Sequence, residues 1–361
     1  MKLIVAGIYP PDTGGPATYA VALERFLPAL GITVEPVPFR SVRSLPPVIR
    51  HFAYAWELWR ALQSADALLA QDAVSSGLPA WLASMFARKP LLLRLGGDYA
   101  WEQGVQRFGV TDTIEAFQTT RYGWRIELLR RIQALVARKA KAVIAPSRYL
   151  AGIIGGWLPE GREAHVIYNG VELPAPAEAP SDTLPRPLIV SGGRLVPWKG
   201  FDGLIRAIAP EPSWHLALIG DGPDRERLGG IARAAGCADR VRFLGALPRE
   251  QLLGWAAVAD AFVLNSSYEG LSHTLLEVLS LGTPVIASAI PGNAEVIADG
   301  ESGLLVPPGD DTAVHAAIAR ILSDPGLAAR LATAGKERVH AFSVEETMRQ
   351  VAGTIKDVCA S

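Results

Sequence analysis

Residues 265–288 read NSSYEGLSHTLLEVLSLGTPVIAS, and the reading of this stretch decides the fold. The run "AFVLNS" that enters it is an apolar strand, Tyr268-Glu269-Gly270-Leu271 is a tight loop, and Ser272 is placed to cap a helix running to about Leu281. Gly282 stops that helix, and "PVIAS" begins the next strand. A strand, a glycine loop and a helix start together present unpaired backbone N–H groups and the positive end of a helix dipole, which suits an anion. Glu269 stands at the mouth of that arrangement. Glu277 lies just over two turns further, among Leu275, Leu276, Val278, Leu279 and Leu281. A carboxylate there needs strong donors, such as the vicinal hydroxyls of a sugar; otherwise it pairs with a nearby arginine or turns to solvent.

The same alternation extends outward in both directions. Strand-like runs such as "KLIVAGIY", "ALLAQD", "PLLLRL", "AVIAPS" and "HVIYNG" interleave with helices from about Thr18 to Leu30, in "PAWLASMFA" and around 122–140. After a Pro- and Ala-rich, aperiodic segment at 172–187 the pattern resumes with "PLIVSGG", a helix at about 200–209, "HLALIG", "VRFLG", "QLLGWAAVA" and "GLLVPPG". Apolar strands that lack a period of two, separated by helices, imply parallel sheets covered on both faces. The expectation is therefore α/β, with two doubly wound domains: 1–172, a linker at 173–187, and 188–342. Ligands of such sheets lie outside the carboxyl ends of the strands, so the site is expected in the cleft between the two.

Composition agrees with a globular enzyme-sized chain. The 361 residues are 49% hydrophobic and 20% charged, and the length favours two cores over one. The longest apolar runs are strand-length, short of the ~18 residues a spanning helix needs, and the N-terminus lacks a small-residue cleavage pattern. A cytoplasmic location is expected. Cys237 and Cys359 have no CxxC spacing and suit a reducing compartment. The net charge of −1 conceals an asymmetry: 19 Lys and Arg against 14 Asp and Glu in residues 1–173, and 16 against 22 thereafter.

Further candidates follow strands. In "SGGRLVPWKG", 191–200, Arg194 offers a fork of donors and Lys199 a point charge, both within reach of a diphosphate; two solvated loop cations are the plainer alternative. "LIGDGPDRERL" contains a glycine turn too short for the GxGxxG dinucleotide fingerprint. "PDTGGPATYA" places Gly14 and Gly15 after the first strand, where a backbone can approach a ligand or simply turn into a helix. "LLLRLGGDYAWE" puts Asp98 after two glycines, either facing a reacting group or solvated.

These motifs resemble the retaining, GT-B-fold sugar-nucleotide glycosyltransferases of glycosyltransferase family 4. The likeness covers nearly the whole chain: "GGPATY", "SRYL", "VIYNGVE", "GRLVPWKG", "GDGP", "RFLGAL", "EGLSHTLLEVLSLGTPVIAS" and "GLLVPPGD", with the Glu-x7-Glu signature as Glu269 and Glu277. The resemblance implies two Rossmann-like domains, an N-terminal one for the acceptor and a C-terminal one for the donor, with a last helix at 343–361 packing back on the first. It implies that Arg194 and Lys199 hold the donor diphosphate and stabilise it as it leaves. Glu269 would meet donor-sugar hydroxyls, Glu277 the ribose, Gly270 with the N–H groups of Leu271 and Ser272 the distal phosphate, and Leu247 the nucleobase. Gly14 and Gly15 would approach the donor phosphate, and Asp98 would face the acceptor, although the family's frequent histidine is absent there.

The implied reaction is hexosyl transfer from a UDP- or GDP-sugar to a hydroxyl acceptor in polysaccharide or glycolipid synthesis, with retention. The leaving phosphate assists deprotonation of the acceptor. No cofactor is expected, and no Asp-x-Asp pair accompanies the cations, so metal independence is expected. A basic helix over 121–141, with Arg121, Arg125, Arg130, Arg131, Arg138, Lys139 and Lys141 beside Trp124, Ile126, Leu128 and Leu129, suggests an anionic membrane surface and a lipid-linked acceptor; a core helix with a solvated basic face is the alternative. Nucleic acid is not expected. A phosphorylase or epimerase on the same fold, or a non-catalytic nucleotide-sugar binder, remain as other readings.

Overall fold

Apolar strands without alternation need cover on both faces, and two six-stranded sheets receive it in a computed structural model of the chain. The structure describes residues 1–12, 14–172 and 179–360, so residues 173–178 of the expected linker lie outside the described residues. The chain divides into two units, Met1–Gly170 with Val344–Ser361, and Val171–Ser343.

In the first unit the elements run β1 (Lys2–Gly7), α1 (Gly15–Phe26), β2 (Thr33–Pro38), α2 (Pro47–Leu62), β3 (Ala67–Ala70), α3 (Gly77–Ala87), β4 (Leu91–Arg94), α4 (Tyr99–Arg107), α5 (Ile114–Thr119), α6 (Trp124–Lys139), β5 (Ala142–Ala145), α7 (Arg148–Gly155) and β6 (His165–Val166). The strand order is β2-β1-β3-β4-β5-β6, and every strand pairing among the described residues is parallel. Successive residues of β1 split between two cores. Ile4 and Ala6 join Leu58, Ala80 and Val136 on the side of α2, α3 and α6, while Leu3 and Val5 join Leu23 of α1 on the other. Both faces are therefore dry, which is why these strands read as unbroken apolar runs.

The second unit runs β7 (Leu188–Gly192), α8 (Phe201–Ile208), β8 (His215–Ile219), α9 (Arg225–Ala234), β9 (Val241–Gly245), α10 (Arg249–Ala257), β10 (Ala261–Leu264), α11 (His273–Leu281), β11 (Val285–Ser288), α12 (Pro291–Ala294), β12 (Leu304–Val306), α13 (Asp311–Ser323) and α14 (Pro325–Val339). Its order is β12-β11-β10-β7-β8-β9, again parallel. The order reverses beside β7, whose neighbours are β8 and β10, so the loops after β7 and β10 leave the sheet side by side.

A last helix, α15 (Val344–Ala360), belongs to the first unit, where Val344, Met348, Val351 and Ile355 pack beside α1. Val171 bridges Ser343, its N–H donating to Phe342 O at 2.9 Å, so the two passages of the chain between units lie side by side.

Several elements were absent from the sequence expectation, β2 and α2 among them. β2 contains Pro36 and Pro38, which argue against a strand, but it lies at the sheet edge, where a missing N–H leaves no ladder bond unmade. α2 has apolar residues on more than one side, so no single stripe marks it. "HVIYNG" is strand only at His165–Val166. The helix expected from Thr18 to Leu30 starts earlier, at Gly15, and gives way to a 3-10 turn at Leu27–Leu30.

Candidate active site

The loop after β7 carries Arg194 and Lys199, and the loop after β10 carries Glu269; the two strands are hydrogen-bonded neighbours, so both loops leave the same edge of one sheet. Backbone packing locks them together. Ser267 N–H donates to Trp198 O at 2.7 Å, and a Cβ on Gly200 would sit 2.0 Å from Asn265 O, so only glycine fits there. Gly292, at the start of α12, makes a similar approach to Glu269 O, 2.2 Å from where its Cβ would be.

On this frame Lys199 Nζ pairs with Glu269 Oε1 at 2.5 Å, and Ser266 Oγ donates to the same oxygen at 2.7 Å. Glu269 is 8% exposed. Arg194 is exposed and makes no hydrogen bond or ion pair among the described residues. One cation of the loop is thus held by a buried carboxylate and the other is free to meet an anion.

Ser272 caps α11 as expected, accepting from Leu275 N–H at 3.3 Å, and Gly282 ends it in the left-handed conformation at φ 77°. Gly270 and Leu271 are buried in the turn before it. Glu277 is buried on α11, and Arg249 Nε donates to its Oε1 at 2.8 Å. The carboxyl's pKa is raised above the ordinary value, chiefly because burial disfavours the charge; Arg249 opposes this, and Glu250 adds to it. Of the possibilities open in the sequence, the nearby arginine is the partner present. Leu247 is half-buried just before α10, in the turn that leads to Arg249.

In the first unit Gly14 has φ 121° and precedes α1, its carbonyl accepting from Ala17 and Thr18 N–H. Gly15 is the first residue of that helix. Asp98 is corrected by the structure. It is 0% exposed and caps α4: Oδ1 accepts from Trp101 N–H at 3.0 Å and Gln133 Nε2 at 2.9 Å, and Oδ2 from Gln118 Nε2 at 2.8 Å. A carboxylate held by three donors and sealed from solvent is an N-cap, not an acceptor-facing group.

Sequence reasoning missed three residues. Arg249 opens α10 and reaches Glu277 across 28 positions of sequence. Ser266 lies only three positions before Glu269, in a spacing that was legible. Arg94, at the end of β4, is 3% exposed; it donates to Asn169 Oδ1 at 2.5 Å and lies 3.8 Å over the Tyr19 ring, joining three of the quoted motifs. An arginine closing the apolar run "LLLR" was its signal. Burial raises the thiol pKa of Cys237 and of Cys359 above the ordinary value, which disfavours the thiolate.

Comparison with known proteins covers both units. Residues 5–170 match a glycosyl transferase 4-like domain, and residues 179–338 match the glycosyl transferases group 1. The chain is 37% identical over 246 residues to the lipopolysaccharide core biosynthesis glycosyltransferase LpsD of Rhizobium meliloti, spanning 66% of this chain and 68% of that one. Among solved structures it is similar to sucrose-phosphate synthase from Thermosynechococcus elongatus, with TM-score 0.78 and 23% identity over 100% of both chains. It is also similar to Anabaena HepE in complex with UDP-glucose, with TM-score 0.76 and 20% identity over 98% of this chain and 99% of that one. These structural likenesses concern the fold.

Proposed function

This chain belongs to glycosyltransferase family 4, the glycosyl transferases group 1, with the GT-B fold, and we propose that it moves a hexosyl group, with retention, from a UDP- or GDP-sugar to a hydroxyl of a growing polysaccharide or glycolipid. The observation that carries this reading is the meeting of Lys199 and Glu269 at the carboxyl edge of one parallel sheet, from loops 70 residues apart, with Arg194 uncommitted in the same loop as Lys199. LpsD's part in building a lipopolysaccharide core supports a lipid-linked glycan as acceptor, and the UDP-glucose complex of HepE supports a nucleotide-sugar donor.

In this reading Arg194 and Lys199 bind the diphosphate and neutralise the charge that develops as the bond from the sugar's anomeric carbon to phosphate breaks. The acceptor oxygen bonds to that carbon on the same face, and its proton passes to a phosphate oxygen of the leaving nucleoside diphosphate. Glu269 aligns sugar hydroxyls while holding Lys199 in place; Glu277 accepts from the ribose hydroxyls. The N–H groups of Leu271 and Ser272 meet the distal phosphate, and Leu247 lies against the base. Two cations already supply the positive charge that a metal would bring, so we propose metal-independent transfer. The exposed Arg121, Arg125, Arg131, Arg138, Lys139 and Lys141 on or beside α6 would meet an anionic membrane surface that presents the acceptor. No helix among the described residues is long and apolar enough to cross a membrane.

The test is a thermal-shift panel in EDTA with UDP, GDP, ADP and their sugar conjugates, run beside Glu277→Ala, because a ligand selective for the folded state raises stability by RT ln(1 + [L]/Kd). A shift with one base that the variant loses supports the donor site and names the nucleotide. No shift with any nucleotide, or transfer that stops in EDTA and returns with magnesium, overturns the reading or its metal-free form respectively.

A further inference from the structure

Among the described residues, every large apolar side chain that is exposed belongs to the first unit. Five of them cluster on α2 and the turn before it: Leu45 at 37%, Val48 at 69%, Ile49 at 56%, Phe52 at 65% and Trp56 at 60%. Spacings of three and four residues put these on one face of the helix. The core face is a different one. Tyr54, Leu58 and Leu62 are fully buried, and each lies two residues, about 200° of rotation, from Phe52, Trp56 or Arg60. α2 therefore carries two apolar stripes, of which its own core uses one, whereas a surface helix of a soluble domain needs only one.

Charge selects the occupant of this face. Residues 39–62 hold four arginines, Arg40, Arg43, Arg50 and Arg60, against one acid, Glu57. Glu57 is engaged by Ser41 Oγ at 2.7 Å, and Arg43 is neutralised by Asp12 at 2.8 Å. Arg60, one turn beyond Trp56, is exposed, and so is Arg40 in the turn before α2, although its Nη1 also donates to the Pro10 carbonyl at 2.5 Å. A second copy of the chain laid against this face would bring like charges together, while a surface of anionic headgroups over an apolar interior complements both features.

We propose that the outer face of α2 docks on an anionic lipid bilayer, with Val48, Ile49, Phe52 and Trp56 entering the boundary between headgroups and acyl chains, and Arg40 and Arg60 meeting headgroup phosphates. At 16 residues, about 24 Å, the helix is too short to span and lies in the plane of the interface. The inference rests on the reading of the acceptor as lipid-linked, and it assigns insertion to α2 beside the charge that the basic helix α6 brings.

The experiment is flotation of the full chain with phosphatidylcholine vesicles, with and without phosphatidylglycerol. Wild type is expected to float with the phosphatidylglycerol vesicles, and Phe52→Ser/Trp56→Ser to lose at least about tenfold in affinity. Trp56→Phe keeps the packing and reports the contact separately: brominated acyl chains are expected to quench wild-type fluorescence more than that of this variant. Absence of wild-type binding, equal flotation of the double variant, or a dimer in light scattering that the same two substitutions dissolve would each overturn the proposal. Nucleotide thermal shifts and transfer to a short water-soluble acceptor are expected to be unchanged in the double variant, so failure of vesicle docking and failure of the donor reading are told apart.

Discussion

Lys199 Nζ and Glu269 Oε1 stand 2.5 Å apart with both side chains mostly buried, at 18% and 10% exposure, and Ser266 Oγ shares the carboxylate oxygen. The pair ties the loop after β7 to the loop after β10, so the cation proposed to meet the leaving diphosphate is oriented before any ligand arrives. Preorganisation of this kind is what makes a charge count toward a transition state.

Lys199→Met is expected to lower kcat by about 10²- to 10³-fold and to cost about 1–3 kcal/mol of stability, since it leaves Glu269 buried without its cation. Adding Glu269→Gln to that variant should restore part of the stability and none of the activity. Chemical denaturation and single-turnover transfer measure the two. Recovery of transfer in the double variant would remove Lys199 from the chemistry.

Glu277 sets a pH dependence of unusual sign for a carboxylate. Its folded-state pKa is raised, chiefly by burial, so the folded chain holds this proton more tightly than the unfolded chain. At pH below the ordinary carboxylate value both states are protonated and the residue contributes no pH slope. As pH rises through the raised folded value, ionisation of Glu277 costs stability, and Glu277→Gln should abolish that slope in denaturation midpoints. Nucleotide affinity should change in the opposite sense, tightening over the same window, because ribose hydroxyls donate best to the ionised group. Arg249→Ala removes the group that favours ionisation and should move both transitions to higher pH. Curves that superimpose for wild type and Glu277→Gln would exclude Glu277 from ribose binding.

Asp98 separates a cap from a catalytic group. Asp98→Ala removes the acceptor for Trp101 N–H, Gln118 and Gln133, and is expected to cost about 2 kcal/mol or more. The nucleotide thermal shift should keep its size on the lowered baseline. Asp98→Asn should be comparably harmful, because its amide would point a donor at a glutamine donor. A variant of wild-type stability that has lost transfer would return Asp98 to the reaction.

The particulars show how far the chain could be read without its fold. The two parallel sheets were legible because a strand dry on both faces must be apolar throughout, and "LIVA" and "AFVL" are. The start and end of α11 were legible because Ser272 and Gly282 act within one helical turn. Glu269, Glu277, Arg194 and Lys199 could be named because their spacing is local to two loops and one helix. β2 escaped because its prolines are tolerated only at an edge, and edge position is a property of the whole sheet.

What the sequence determined by itself is therefore short-range: element type, caps, and which residues share a loop or a helix face, all fixed by backbone sterics and helical or pleated periodicity. The tertiary structure decided the partners. It gave Lys199 to Glu269 across 70 residues and Arg249 to Glu277 across 28, saturated Asp98 with two glutamines, closed Arg94 between Asn169 and Tyr19, and left the outer stripe of α2 uncovered. A buried charge takes whichever donor or counter-ion the packing brings within about 3 Å, and no local pattern carries that distance.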